Sequence, residues 1–216
     1  MAISKRLGAI LALAKGAHTL ADIGTDHAYL AIAAIEQNIC HQAIACDINP
    51  GPLHIAKKNI AQANLTQAIE TRLGNGLAPL RPQEADTIVI AGMGGMLILK
   101  ILEAEMPKAQ FAKKLILSPQ HDLPLVRKSL HQLGFYIAQE VLVHEDGRFY
   151  IVLEATHTGE CHTWTEQEYF LGKHLKNSPH WPSYLNHQAD KINRYIDHLK
   201  AKETALQQLQ WIEESR

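Results

Sequence analysis

The chain has 216 residues, a formal net charge of -1, and is 46% hydrophobic and 20% charged; it can bury a core and is too apolar to be disordered. No apolar run approaches the roughly 20 residues that span a bilayer, and no signal-peptide pattern follows Lys5 and Arg6. Three widely spaced cysteines argue against a disulfide framework or a four-thiolate zinc site, and the balanced charge argues against a sequence-blind nucleic-acid coat.

Thr19–Ile23 (TLADI) is a short apolar strand that ends on Gly24, and residues 28–39 then carry apolar side chains at helical spacing. A second buried strand over 43–46 ends in Asp47. Pro50 and Pro52 mark the start of the next helix, which runs to about Asn64. Ile69–Leu73 is the third strand, closed by Gly74-Asn75-Gly76. Thr87–Ala91 (TIVIA) is the fourth, stopping at Gly92-Met93-Gly94-Gly95. A helix over 96–106 leads to a fifth strand at 115–117. This alternation predicts a parallel sheet covered on both faces.

After a helix over 123–133 the pattern changes. Residues 136–143 and 149–155 are strands joined by a segment containing Asp146-Gly147, a hairpin signal. Parallel strands followed by an antiparallel hairpin fit the S-adenosylmethionine methyltransferase form of the Rossmann-like sheet better than the dehydrogenase form. From about residue 158 there are no strand signals. Leu185, Ile192, Leu199 and Leu206 recur every seven residues, with Ala189 and Ile196 between them, which predicts one long helix of coiled-coil character. Residues 164–175 could supply its antiparallel partner. The expected division is a sheet domain over 1–157 and a helical domain over 158–216.

Ligands of an open parallel sheet bind outside the carboxyl ends of its strands. Here those ends carry Asp22, Gly24, Asp26 and His27, then Asp47, then Asn75, then Gly92, Met93 and Gly94. Asp26 stands where a dinucleotide-binding turn has its second glycine. A carboxylate there repels a pyrophosphate and suits a cationic ligand such as S-adenosylmethionine, with its ammonium and sulfonium. Asp47, about 20 residues past the glycine turn, suits ribose hydroxyls; Asn75 suits an adenine edge. Three glycines in 92–95 predict a close approach of something large to that backbone. The plainer reading makes Asp22 and Asp47 helix caps and the glycines turn residues.

Several segments resemble one family: SKRL (4–7), ADIGTDHAYL (21–30), ACDINPGPL (45–53), RLGNGLAPL (72–80), AGMGG (91–95) and EDGRFY (145–150). They are similar to the bacterial tRNA adenine-N1 methyltransferases that modify adenine 22. The resemblance covers most of 1–156 and continues into a helical extension. It implies S-adenosylmethionine as donor and tRNA as acceptor. It also implies that Asp22, Gly24, Asp47, Asn75, Gly92, Met93 and Gly94 hold the cofactor, while Asp26 and His27 face the substrate. Relatives carry Gln-Pro-Asn after the fifth strand where this chain has Ser118-Pro119-Gln120; Gln120 is the expected amide-bearing replacement.

Adenine N1 is a neutral nucleophile and the donor methyl is already activated, so alignment carries most of the rate. Asp26 is the expected catalytic carboxylate, stabilising the cation formed or accepting a proton from the exocyclic amine. The alternative for Asp26 is a simple cap of the following helix. No Asn-Pro-Pro-Tyr motif follows the fourth strand, which argues against methylation of an exocyclic amine. Lys5, Arg6, Lys191 and Arg194 are the expected tRNA contacts. No histidine pattern implies a metal site. The expected protein is cytoplasmic, without membrane or stable protein partner, and a monomer or weak dimer. A methyltransferase acting on another RNA, a protein or a small molecule is the alternative, since its cofactor half would read alike.

Overall fold

A computed structural model describes residues 3–196 and 202–216. Helix α1 (Lys5–Ala14) precedes strand β1 (Thr19–Ile23), followed by α2 (Tyr29–Glu36), β2 (Gln42–Asp47), α3 (Pro50–Gln62) and β3 (Ile69–Leu73). Then come β4 (Thr87–Ala91), α4 (Gly95–Ala104), α5 (Met106–Phe111), β5 (Lys114–Ser118) and α6 (Leu123–Gln132). A hairpin of β6 (Phe135–Glu145) and β7 (Arg148–His157) completes the sheet, and α7 (Glu166–Leu171), α8 (Trp181–Tyr195) and α9 (Lys202–Glu214) follow.

The seven strands form one sheet in the order β3-β2-β1-β4-β5-β7-β6. β1 to β5 run parallel; β7 is antiparallel to both neighbours. The chain leaves β1 toward β2 on one side and later returns to pair β4 on its other side, so the order switches beside β1. That switch opens a crevice at the strand ends.

The alternation of side chains along each strand divides the core in two. Leu20, Ala43, Ala45, Val89, Ile116 and Val152 face α1, α2 and α3. Ala21, Ile23, Ile44, Ile88, Ile90 and Leu117 belong to the other face. There, one apolar cluster runs on through Leu142 and Leu153 to Leu171, Trp181, Tyr184, Leu185, Ala189, Ile192, Ala205 and Ile212. The C-terminal helices therefore share the sheet's core. The hairpin is longer than expected, and its second strand, not its first, pairs with β5.

Three expectations change. First, α1 has no counterpart in the sequence reading, although Leu7, Ile10, Leu11 and Ala14 are spaced for a helix and Ser4 accepts from Leu7 N at its start. Second, the helix expected over 96–106 divides into α4 and α5, with Glu105 between them outside helical geometry and Pro107 in the first turn of α5.

Third, the single heptad helix is two helices. Trp181 Nε1, at the start of α8, donates to Ser215 O just past α9, and the Arg216 guanidinium reaches Asn186 Oδ1. α8 and α9 therefore run back against each other. Leu185 and Ile192 are buried as expected, whereas Leu206 is exposed. α9 buries Ala205 and Ile212, a different stripe. Leu199 lies outside the described residues. Of 164–175, only the six residues of α7 are helical.

Candidate functional site

The loops at the strand ends are laced to one another through the backbone. Gly24 N and Thr25 N both donate to Cys46 O, at 2.8 and 2.9 Å, and Gly74 N donates to Asp47 O at 2.9 Å. Gly92 N donates to Ser118 O, and Gln120 N to Met93 O. These bonds fix the ends of β1, β2, β3, β4 and β5 relative to one another before any ligand arrives.

A cleft of about 830 Å³ opens over these ends, within the range of small-molecule sites. Asp22, Gly24, Asp26, His27, Gly92 and Gln120 line it, along with Arg6 and Leu7 of α1, Tyr29 of α2 and Asn59 of α3. The structure thus brings together seven of the residues expected from sequence, Arg6 among them. Asp47, Asn75, Met93, Gly94 and Lys5 do not line this cleft. Asp47 ends β2 next to the glycine turn, and its carboxylate accepts from Asn49 N at 2.8 Å at the start of α3. The helix-cap reading does not hold for it: Asn49 occupies the cap position of α3, no side chain bonds there, and Asp47 instead closes the turn before the helix.

Asp22 is buried, and the only hydrogen bond to its carboxylate among the described residues comes from the Thr25 hydroxyl at 2.6 Å. Burial pushes its carboxyl up to about 6; the Thr25 bond opposes this and the nearby Asp47 charge adds to it. A buried carboxylate without a cation is costly, and it favours a positively charged ligand.

Gly24 has a positive φ, and a Cβ built there would stand 2.2 Å from Met93 Cε. Met93 therefore lies directly on the turn that holds Asp22 in place.

Asp26 is exposed and sits in the left-handed region at φ 50°, with its carboxylate 3.4 Å from His27 Nε2. It does not cap α2: Ala28 occupies the cap position and no side chain bonds there. His27 Nδ1 is buried without a partner, and the His27 carbonyl accepts from Asn59 Nδ2. The exposed Asp26 and the His27 side chain thus line the same cleft.

The close approach expected at 92–95 is found at Gly94 and Gly95, and its source lies within the chain. A Cβ at Gly94 would stand 2.5 Å from the His121 ring, and one at Gly95 would meet His121 O at 2.8 Å and Asp122 Cβ at 2.9 Å. The large group approaching this backbone at Gly94 and Gly95 is the chain's own loop after β5. In this loop Asp122, just before α6, is left-handed at φ 62°.

Glu145 and Tyr150 have no role in the sequence reading beyond their place in EDGRFY. Glu145 accepts from Lys5 N at 2.5 Å and from Arg6 N at 3.4 Å, and the Arg6 guanidinium lies 5.1 Å over the Tyr150 ring. Only the sheet's closure brings these groups together.

Residues 3–153 match the model of the methyltransferase domain family. The tRNA (adenine(22)-N(1))-methyltransferase of Bacillus subtilis (strain 168) is 39% identical over 153 residues, which are 71% of this chain and 64% of that protein. This aligned stretch falls just short of two thirds of that relative's length. A Streptococcus pneumoniae crystal structure, of a candidate tRNA (m1A22) methyltransferase in complex with S-adenosyl-L-methionine, is 32% identical. It superposes with a TM-score of 0.91 over 99% of each chain. The crystal structure of the Bacillus subtilis m1A22 tRNA methyltransferase TrmK is 29% identical, with a TM-score of 0.85 over 99% of this chain and 98% of that one. The chain belongs to the methyltransferase-domain family and, within it, to the group of the tRNA (m1A22) methyltransferases.

Proposed function

We propose that this chain transfers a methyl group from S-adenosylmethionine to N1 of an adenine in tRNA, at position 22. The observation that carries the reading is Asp22: a buried carboxylate, repelled by Asp47 and satisfied only by Thr25, in a cleft beside a glycine turn. These residues fit the donor. Asp22 suits a cationic group, the side-chain-free Gly24 admits a close approach, and Asp47 at the end of the adjacent strand suits ribose hydroxyls. Asn75, on the turn after β3, suits the adenine edge, with Gly92, Met93 and Gly94 walling the same strand ends. When bound, the donor supplies a methyl group already activated by its sulfonium.

The chain's own contribution is alignment and charge. The laced strand ends hold the site rigid, so that reacting groups meet in a fixed geometry. Asp26 is the catalytic carboxylate of this reading, exposed at the mouth and free to face the incoming base. It stabilises the positive charge that passes to the methylated adenine, or takes a proton from its exocyclic amine. His27 and Gln120 line the same opening. The target base must leave its stack to enter, at a cost of a few kcal/mol. Lys5 and Arg6 near the cleft, and the exposed Lys191 and Arg194 of α8, are the basic groups of the RNA path, with 158–216 acting as a helical arm. No described helix is long and apolar enough to cross a membrane, and this role places the chain with tRNA in the cytoplasm.

The test is methylation of unmodified tRNA with a methyl-labelled donor, followed by nucleoside mapping and primer extension. N1-methyladenosine and a stop at position 22 are expected, because the added methyl blocks the base's pairing edge. Absence of N1-methyladenosine overturns the reading.

A further inference from the structure

Arg6 is a cation in a cleft whose other charges are negative, and it has no carboxylate of its own. Among the described residues no acidic side chain lies within ion-pair distance of its guanidinium. Its position is nevertheless well defined. The guanidinium lies over the Tyr150 ring at 5.1 Å, and both terminal nitrogens stand 3.9 Å from where a Gly92 side chain would begin. The backbone beneath it is tied down as well, since the Glu145 carboxylate spans the amides of Lys5 and Arg6. Lys5 Nζ adds a contact to His144 O.

A ring face holds a guanidinium through its negative π cloud and by flat stacking while leaving its five donors free. Such a planar fork is suited to an oxyanion, which it can take through two parallel bonds. The absence of a side chain at Gly92 leaves that approach open.

We propose that Arg6 is an oxyanion-binding group of the cleft, and that Tyr150 and Glu145 are positioning residues that present it. The chemistry is shared by two sources, the carboxylate of the donor's amino-acid part and a phosphate of the acceptor RNA. The proposal extends the methyltransferase reading by giving the hairpin β6–β7 a role in ligand binding.

Binding of S-adenosylhomocysteine and of 5′-methylthioadenosine, which lacks the amino-acid part, is measured by calorimetry for the wild type, Arg6→Ala, Tyr150→Leu, Tyr150→Phe and the double variant Arg6→Ala/Tyr150→Leu. KM for tRNA is measured across a salt series, and thermal melting confirms folding. Arg6→Ala and Tyr150→Leu should each weaken the same ligand about ten-fold, as expected for a charged bond lost or misdirected. The double variant should be no worse than Arg6→Ala, and Tyr150→Phe should stay within about two-fold of wild type.

Loss confined to S-adenosylhomocysteine, with methylthioadenosine unchanged, supports the proposal with the carboxylate as source. A raised tRNA KM with a shallower salt dependence and unchanged kcat supports it with a phosphate as source. Additive effects overturn it, as does a Tyr150→Leu protein that binds both ligands normally. If Tyr150→Leu does not fold, Tyr150→Phe with normal binding beside a defective Arg6→Lys supports it, and a normal Arg6→Lys and Arg6→Ala overturn it. A wild type that binds S-adenosylhomocysteine but leaves tRNA unmethylated defeats the tRNA reading alone, and the binding arm still decides on Arg6.

Discussion

Asp22 and Glu140 are both buried carboxylates in one small protein, and their surroundings differ in the one respect that matters. Glu140, on β6, accepts from Arg127 Nε at 2.8 Å and from His174 N at 3.1 Å. Arg127, on α6, also donates to the carbonyls of Tyr169 and Phe170 in α7. Neither side chain of this pair touches solvent. Asp22, at the end of β1, has one hydroxyl partner and another carboxylate nearby. The first arrangement pairs its charges within the chain, with only Arg127 Nη2 left buried without a partner among the described residues, and joins the C-terminal helices to the sheet. The second leaves a charge unfinished where a ligand can complete it. Burial by itself does not mark a functional acid; burial without a counter-charge does.

Breaking the complete pair should have the largest effect. Arg127→Met leaves Glu140 buried and alone, and should destabilise the chain by about 3 to 5 kcal/mol in urea unfolding. Arg127→Met with Glu140→Leu should recover part of that loss but not all, because the carbonyls of Tyr169 and Phe170 lose a donor.

The unfinished charge should behave in the opposite sense. Asp22 has a raised folded-state value of about 6 against 3.8, so the folded chain holds this proton more tightly than the unfolded one. Stability is therefore fully retained below the unfolded value and falls as pH rises through the window up to about 6. Asp22→Asn should raise the ligand-free protein's stability at pH 8, by at most about 3 kcal/mol, while weakening donor binding by about 2 kcal/mol, or some thirty-fold. A destabilised Asp22→Asn protein would erase the contrast with Glu140.

The same titration predicts a pH dependence of binding. Donor affinity should fall as pH drops below about 6, where Asp22 takes up its proton, and calorimetry in buffers of different ionisation enthalpy should register proton release. Asp26, exposed and without a buried-charge cost, provides the control. Asp26→Ala should lower kcat by about 100-fold and leave donor affinity unchanged; an equal loss of both would move it into the cofactor site. The smallest effect should come from Glu145→Gln, where the weakened cap on α1 costs about 1 kcal/mol, readable as a small drop in melting temperature.

What could be read ahead of the structure follows from the range over which each signal acts. Thr19–Ile23, Ile69–Leu73 and Thr87–Ala91 match their strands residue for residue; for the first and last this is because a short apolar run between turn residues is a local pattern. Asp22 and Gly24 were legible for the same reason: position on the chain places them at a strand end. Arg6 could be read as basic, but not that it would hang over Gly92, since Tyr150 lies far along the chain and only the sheet's closure brings it near. The glycines at 94 and 95 mark a close approach, but not its source, His121. The heptad failed for a related reason. Spacing cannot reveal that the chain doubles back, and once it does, Ala205 and Ile212 replace Leu206 as the buried stripe of α9.

The insertion of β7 between β5 and β6 sets a timetable for the chain's birth. Until residues 148–157 have been made, β5 is a bare sheet edge, open to pairing with any extended neighbour. The start of α1 meanwhile waits for Glu145, which lies 140 residues further along the chain than Lys5. Contacts this distant in sequence are slow to form. A nascent chain stalled short of the hairpin therefore has β1 to β5 and the Asp22 turn but lacks the partners that hold Arg6.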